Sequence, residues 1–231
     1  MALIKFGGGI TEMRGSIGGN TFARNRFGAY ARSRTKPVNP SSTRQQTVRA
    51  IMQQITQLWA GLTADQRSAW ALYGDSVGWV NALGETQHLS GFNMYCRTNM
   101  LLQLAGATLV SDAPTTLSLP EADPDFAIAA DASDDDFSVT FDNALDWANE
   151  AGGYLVCSLG QPVSPTRNFF GGPYRYAGKV EGDAATPPSI PATFTSPFEL
   201  GSGQKVWAFA RIVRADGRVS VPFRANCIVG A

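Results

Sequence analysis

The residues best suited to chemistry between molecules lie close to the start of the chain. "NTFARNRFGAYARSRTK", residues 20–36, brings Phe22, Arg24, Arg26, Phe27, Tyr30, Arg32, Arg34 and Lys36 into one short stretch. A guanidinium offers a planar fork of donors that matches carboxylate or phosphate oxygens, and exposed aromatic rings anchor in pockets on a partner. Alternation with period two puts Phe22, Arg24 and Arg26 on one face. Tyr30, Arg32 and Arg34 share a face after a turn at residues 25–28. A two-stranded ribbon is therefore expected. It has too few apolar residues and too many glycines to bury a core of its own.

Residue sets for covalent chemistry do not occur at the spacing they require. His88 is the sole histidine; it lies in "GETQHLSG", and no Gly-x-Ser-x-Gly turn accompanies it. The glycine clusters at 7–9 and 15–19 have no following Gly-Lys-Ser/Thr and serve turns or close backbone approach instead of phosphate binding. Asp134, Asp135 and Asp136, with Asp131 nearby, lack the closing glutamate of a calcium loop and read as a solvated turn. Cys96, Cys157 and Cys227 form no CxxC pair and are expected as free, buried thiols, with Cys157 and Cys227 as candidate neighbours. No catalytic residue, metal or cofactor is expected, and the chain reads as a non-enzyme.

Composition points to contact surfaces. Of 231 residues, 44% are hydrophobic and only 16% charged, with 24 glycines and 13 prolines, a balance that suits β-rich structure or surfaces covered by partners. The formal net charge is +0, yet residues 1–50 carry nine basic groups against Glu12 alone, a net of +8. Eleven acidic groups lie between Asp112 and Glu150 with no Lys or Arg among them. DNA is the rival partner for the arginines, because phosphates and stacked bases would suit them. The net of −8 over the rest of the chain would repel a polyanion. "MALIKFGGG" lacks the apolar segment of a signal peptide, and no apolar run reaches membrane-spanning length. A cytoplasmically made protein without a membrane partner is expected.

Four segments follow along the chain. Residues 1–40 form an extended basic arm. Residues 41–110 form a small bundle of three helices. The first starts after Pro40 with Ser42 and Gln45 as a capping box and carries Val48, Ile51, Met52, Ile55, Leu58, Trp59 and Leu62 as its apolar stripe. The second starts at Thr63 with Gln66 and stops at Gly74. The third covers 90–105, with Phe92, Tyr95, Cys96, Met100, Leu101 and Leu104 facing inward and Asn99 on the same stripe in need of a hydrogen-bond partner. Residues 111–125 are a Pro-rich linker. Residues 126–231 hold seven strand-like runs, at 126–130, 137–142, 153–159, 174–180, 192–198, 205–214 and 218–229, the last two joined by a hairpin at Asp216-Gly217. The fold class is α+β: an N-terminal arm or ribbon, a three-helix bundle, and a C-terminal antiparallel β-sandwich of immunoglobulin or fibronectin III type.

The order of certain residues resembles a recurrent, uncharacterised type of phage and prophage virion-associated protein. A small-residue stretch and an Arg-rich aromatic segment precede Lys36-Pro37-x-Asn39-Pro40 and a helix with Gln45, Gln46 and Arg49. Leu62-Thr63, Gln66-Arg67 and Trp70 come next, then Gly91-Phe92 and Asn99. The resemblance covers about residues 10–100. It implies phage origin, a virion component made in the bacterial cytoplasm, and contacts with capsid, portal or tail subunits in many copies or as a homo-oligomer. Within that class a capsid decoration (cement) protein is expected first. A head–tail connector, another tail component and a host- or glycan-adhering module stand behind it; for the last, the aromatic loop at 165–176 would be the binding element.

Overall fold

A computed structural model describes residues 2–81 and 83–231. The arm is a four-stranded antiparallel sheet in the order β1–β4–β3–β2, from β1 (Ala2–Ile4), β2 (Gly15–Ile17), β3 (Asn20–Asn25) and β4 (Gly28–Ser33). The expected ribbon is its centre, β3 paired with β4. Arg26 and Phe27 make the turn between them, and Gly28 supplies the positive φ (117°) that a side chain would resist. Asn25 Oδ1 accepts from the Phe27 amide at 2.9 Å and fixes the turn. β1 and β2, three residues each, add one strand on either side. No residue from 2 to 40 is buried.

The bundle comprises α1 (Thr43–Gly61), α2 (Ala64–Ser76) and α3 (Gly91–Leu104). Thr63 and Gln66 form a complete capping box at α2. At α1 only half of the expected box is made: Ser42 Oγ accepts from the Gln45 amide, and Gln45 Oε1 is buried without a partner. Trp70 stands at the centre, edge-on to Tyr73 and Tyr95 with ring centroids 6.1 and 5.5 Å away. Of the expected α1 stripe, Ile55 and Leu62 are buried, while Leu58 is 41% exposed because it points off the bundle. Between α2 and α3 a small hairpin, β5 (Gly78–Val80) with β6 (Thr86–His88), fills the connection.

Two corrections concern the helices. Gly74 does not stop α2, which runs two residues further; it lies where α2 meets the start of α3, and a Cβ there would sit 2.5 Å from the Leu89 carbonyl oxygen. The inward side of α3 also differs from the single expected stripe. Met94, Tyr95 and Cys96 face the bundle, but Thr98, Leu102 and Ala105 are buried too, while Phe92, Met100, Leu101 and Leu104 are half-buried. The helix has two covered sides because the β-sandwich packs on its second one.

The sandwich pairs a four-stranded sheet, β10–β9–β12–β13, with a three-stranded sheet, β11–β8–β7. Its strands are β7 (Ala127–Asp131), β8 (Asp136–Thr140), β9 (Tyr154–Gly160), β10 (Tyr174–Glu181), β11 (Ala192–Thr195), β12 (Lys205–Val213) and β13 (Phe223–Ile228). Seven short strands in two antiparallel sheets in this order give the expected immunoglobulin or fibronectin III type of sandwich. On β12, Val206, Ala208, Ala210 and Ile212 alternate into the core beside Leu155, Leu159, Phe137 and Val139. The three cysteines are free. Cys157 and Cys227 are not neighbours: they lie on opposite sides of β12, across from Ala210 and Val206 respectively. The final strand begins at Phe223, later than expected, because Ser220 bonds both the amide and the carbonyl of Ile212 and Pro222 has no N–H for a ladder.

The connection at 111–125 is a packed strap. Trp70 Nε1 donates to the Ser111 carbonyl at 2.9 Å and Gln66 Nε2 to Asp112 Oδ1 at 2.9 Å. Pro114 and Pro120 are buried, and buried Asp123 accepts from the amides of Asp125 and Asp142. A shared apolar cluster, with Leu102 of α3 and Ala105 at its C-terminal cap against Val156, Val213 and Val219, joins bundle to sandwich. Thr98 Oγ1 donates to the Gly217 carbonyl at 2.7 Å, so the Asp216-Gly217 hairpin tip ends against α3.

Candidate interaction surface

The arm's register decides which of its side chains act together. Phe22 lies opposite Ala31, and Arg24 opposite Ala29; Ala23 faces Tyr30, and Thr21 faces Arg32. Directly paired residues share a face, so Phe22 and Arg24 project to one side of the sheet, Tyr30 and Arg32 to the other. Arg26 and Phe27 occupy the turn, with the Arg26 guanidinium 5.9 Å from the Phe27 ring centroid. Arg34 follows β4, its amide bonded to the Gly19 carbonyl at 2.7 Å, and Lys36 lies in the irregular segment beyond. Six of the eight candidate residues thus form two faces and a tip, and Arg34 and Lys36 trail beyond β4.

Arg24, Arg26, Arg32, Arg34 and Lys36 are exposed, whereas Phe22, Phe27 and Tyr30 are half-buried. Within the arm, Glu12 draws Arg14 to 2.8 Å and Arg24 to 3.9 Å. Among the described residues, two polar contacts tie the sheet of the arm to the body: Lys5 Nζ to Glu85 at 2.6 Å, and Gln87 Nε2 to the Phe27 carbonyl at 3.2 Å. Among the described residues, Arg26, Arg32, Arg34 and Lys36 form no ion pair. The outer edges of β1 and β2 have no strand beside them among the described residues. Unpaired edges offer main-chain donors and acceptors to a second chain, and exposed arginines fit its carboxylates.

The residues that carry the phage resemblance have architectural duties. Arg49 donates to Asn39 Oδ1 at 2.8 Å and Gln46 Nε2 to the Ser41 carbonyl at 3.0 Å, tying the segment after the arm's sheet to α1. Arg67 donates to the Leu62 carbonyl at 2.6 Å and thereby covers the C-terminal end of α1. Gly91 lets α3 touch α2, for a Cβ there would lie 2.6 Å from the Ala71 amide nitrogen. Asn99 is fully buried and makes three bonds, to the Tyr95 carbonyl and to both main-chain groups of Val110. The pattern describes how the corner between helices is built.

The other candidate sites dissolve into turns and packing. His88 is exposed on β6. Asp135 adopts φ 53° and accepts from the Leu200 amide at 2.7 Å, while Asp131 accepts from the amide and hydroxyl of Ser133. Among the described residues no group of three or more His, Cys, Asp or Glu is arranged to hold a metal. In the 165–176 loop, Phe170 packs over Gly160 and Tyr174 lies against Phe209, which leaves Phe169 as the exposed ring, at 65%.

One buried feature gave no sequence signal. The Arg97 guanidinium stacks on Trp79 with 4.1 Å to the ring centroid and donates to the carbonyls of Val219 and Ser220. Burial, and then the charge of Arg211, hold it below the ordinary guanidinium range. An arginine on a helix reads as solvated unless the sandwich that covers it is known. No helix among the described residues is long and apolar enough to cross a membrane. Family models, curated proteins and solved structures gave no match to this chain.

Proposed function

We propose that this chain is a non-enzymatic structural protein of a bacteriophage virion, a capsid decoration or cement protein held in place by its N-terminal arm. The supporting observation is the arm itself: four strands, several exposed cations and no buried residue from 2 to 40. A sheet that buries none of its residues gains little from folding alone, and it becomes worthwhile when neighbouring subunits cover it. The arm adds main-chain hydrogen bonds to a neighbour at its open edges. Arg24, Arg26, Arg32 and Arg34 meet that neighbour's carboxylates, and Phe22, Phe27 and Tyr30 anchor against it. Bundle and sandwich, joined through α3, form the body that the arm attaches to the particle. The phage assignment rests on the resemblance over about residues 10–100, from the small-residue stretch and the Arg-rich segment to Asn99.

Quantitative mass spectrometry of purified virions tests this reading. A decoration protein is present in hundreds of copies, a connector in about a dozen, an adhesion device in a handful. Removal of residues 2–36 is expected to abolish incorporation while the body stays folded. Full incorporation of the truncated chain would refute the arm as anchor.

A further inference from the structure

The chain carries two opposite surfaces that it does not join to each other. Of the eleven acidic groups between Asp112 and Glu150, those in ion pairs among the described residues are Asp146 and Glu150, both with Arg214. Asp123, Asp135 and Asp142 hold backbone amides of their own surroundings. Glu121, Asp125, Asp131 and Asp134 are exposed. Among the described residues no basic group of the arm pairs with any of them; the arm's pairs go to Glu12 and Glu85. The first region carries a net of +8 over residues 1–50, the second a net of −11 over residues 112–150.

We propose that the arm of one copy docks on the acidic β7–β8 turn, with the exposed Asp131 and Asp134, of the sandwich of a second copy of this chain. The proposal rests on the reading of the arm as an intersubunit anchor and names its partner. A second copy presents the carboxylates that the arm lacks, whereas a nucleic acid would meet the arm's cations together with the repulsion of the acidic remainder. Arm and acidic surface are different patches on each copy. The contact is therefore either exchanged reciprocally across a two-fold axis, or runs head to tail and closes as a ring or propagates. Single exposed ion pairs contribute little, so the contact depends on several acting together and weakens with salt.

Sedimentation velocity of the full chain over a range of concentrations, at low and at high salt, tests this. Species larger than the monomer are expected at low salt and fewer at high salt. Arg32→Glu with Arg34→Glu should weaken association by roughly tenfold or more. Mixing that variant with an Asp131→Lys, Asp134→Lys variant should recover most of the loss. Circular dichroism establishes that both variants are folded; should the first not fold, Arg26→Glu with Lys36→Glu takes its place. A monomer at every concentration, association indifferent to both reversals, or salt-sensitive binding of random duplex DNA by a monomer would each overturn the proposal. The anchor reading has its own readout: a monomeric chain that still needs residues 2–36 to enter particles refutes self-docking alone.

Discussion

Gln87 donates its side-chain amide to the main-chain carbonyl of Phe27 at 3.2 Å, joining the tip of the arm to the β5–β6 hairpin. Together with the exposed Lys5–Glu85 pair, this is the polar attachment of the arm's sheet to the body among the described residues. Surface contacts of this kind are weak because water competes for both partners. The arm is lightly held by its own chain.

Loosening that attachment should free the arm without disturbing the body. Glu85→Ala with Gln87→Ala is expected to speed tryptic cleavage between Arg24 and Lys36. Stability of the body should change by no more than about 0.5 kcal/mol. Cleavage kinetics and urea unfolding measure the two effects separately. A large loss of stability would mean that the arm is integral to the core.

The corner between α2 and α3 has no room for a methyl group. A Cβ at Gly74 would lie 2.5 Å from the Leu89 oxygen, and one at Gly91 less than 3.0 Å from three main-chain atoms of α2. Each Gly→Ala change is expected to cost ~1–3 kcal/mol through backbone displacement. Gly61, at the end of α1, has open space where a Cβ would stand and serves as the control. Its replacement by alanine should be neutral or stabilising.

Asn99→Leu keeps the branched shape of asparagine, adds bulk, and removes all three of its bonds. Both main-chain groups of Val110 would be left without their partner, at a cost of about 2–4 kcal/mol. Thr98→Val, which removes the bond to Gly217, should cost about 1–2 kcal/mol. Because α3 is shared by bundle and sandwich, both variants should unfold in one transition by fluorescence and by circular dichroism. Two separated transitions would contradict the shared core.

Alkaline pH should destabilise the body. Burial pushes the Tyr73 hydroxyl up to about 12 and the Cys157 thiol up to about 12. A group whose folded pKa is raised contributes fully below its unfolded pKa, near 10 for the phenol and 9 for the thiol, and loses that contribution as pH rises towards 12. Tyr95, Tyr154, Tyr174 and Tyr176 shift in the same direction, again chiefly through burial. The depressed guanidinia of Arg97 and Arg211 act in the opposite sense and are outnumbered. Urea unfolding at a series of pH values should show stability falling above about pH 10, and native Cys157 should resist alkylation until the protein is unfolded.

The parts of this fold that could be read from sequence are those whose pattern reports one buried side. β12 alternates because one of its faces is core, and Thr63 with Gln66 marks the start of α2 because the cap is local chemistry. The misread parts have causes elsewhere in the chain. α3 is covered on two sides, so no single stripe describes it, and Gly74 looks like a terminator unless the approach of α3 is known. β1, β2, β5 and β6 have three residues each, too few to show a period. In the arm, the residue types and the pairing of Phe22 with Arg24 and of Tyr30 with Arg32 on shared faces were legible, whereas the place of Arg26 in the turn and the relation between the two groups were not. Phe22 and Tyr30 fall on opposite faces because Ala23, and not Phe22, is the partner of Tyr30.

Hydrogen exchange of the arm amides, followed in the dilute monomer and again in assembled particles, reports whether neighbouring subunits hold the arm in order. Amides of β3 and β4 are expected to exchange at close to unprotected rates in the monomer and to become strongly protected on assembly. Protection in the isolated monomer equal to that of the sandwich strands would contradict that role.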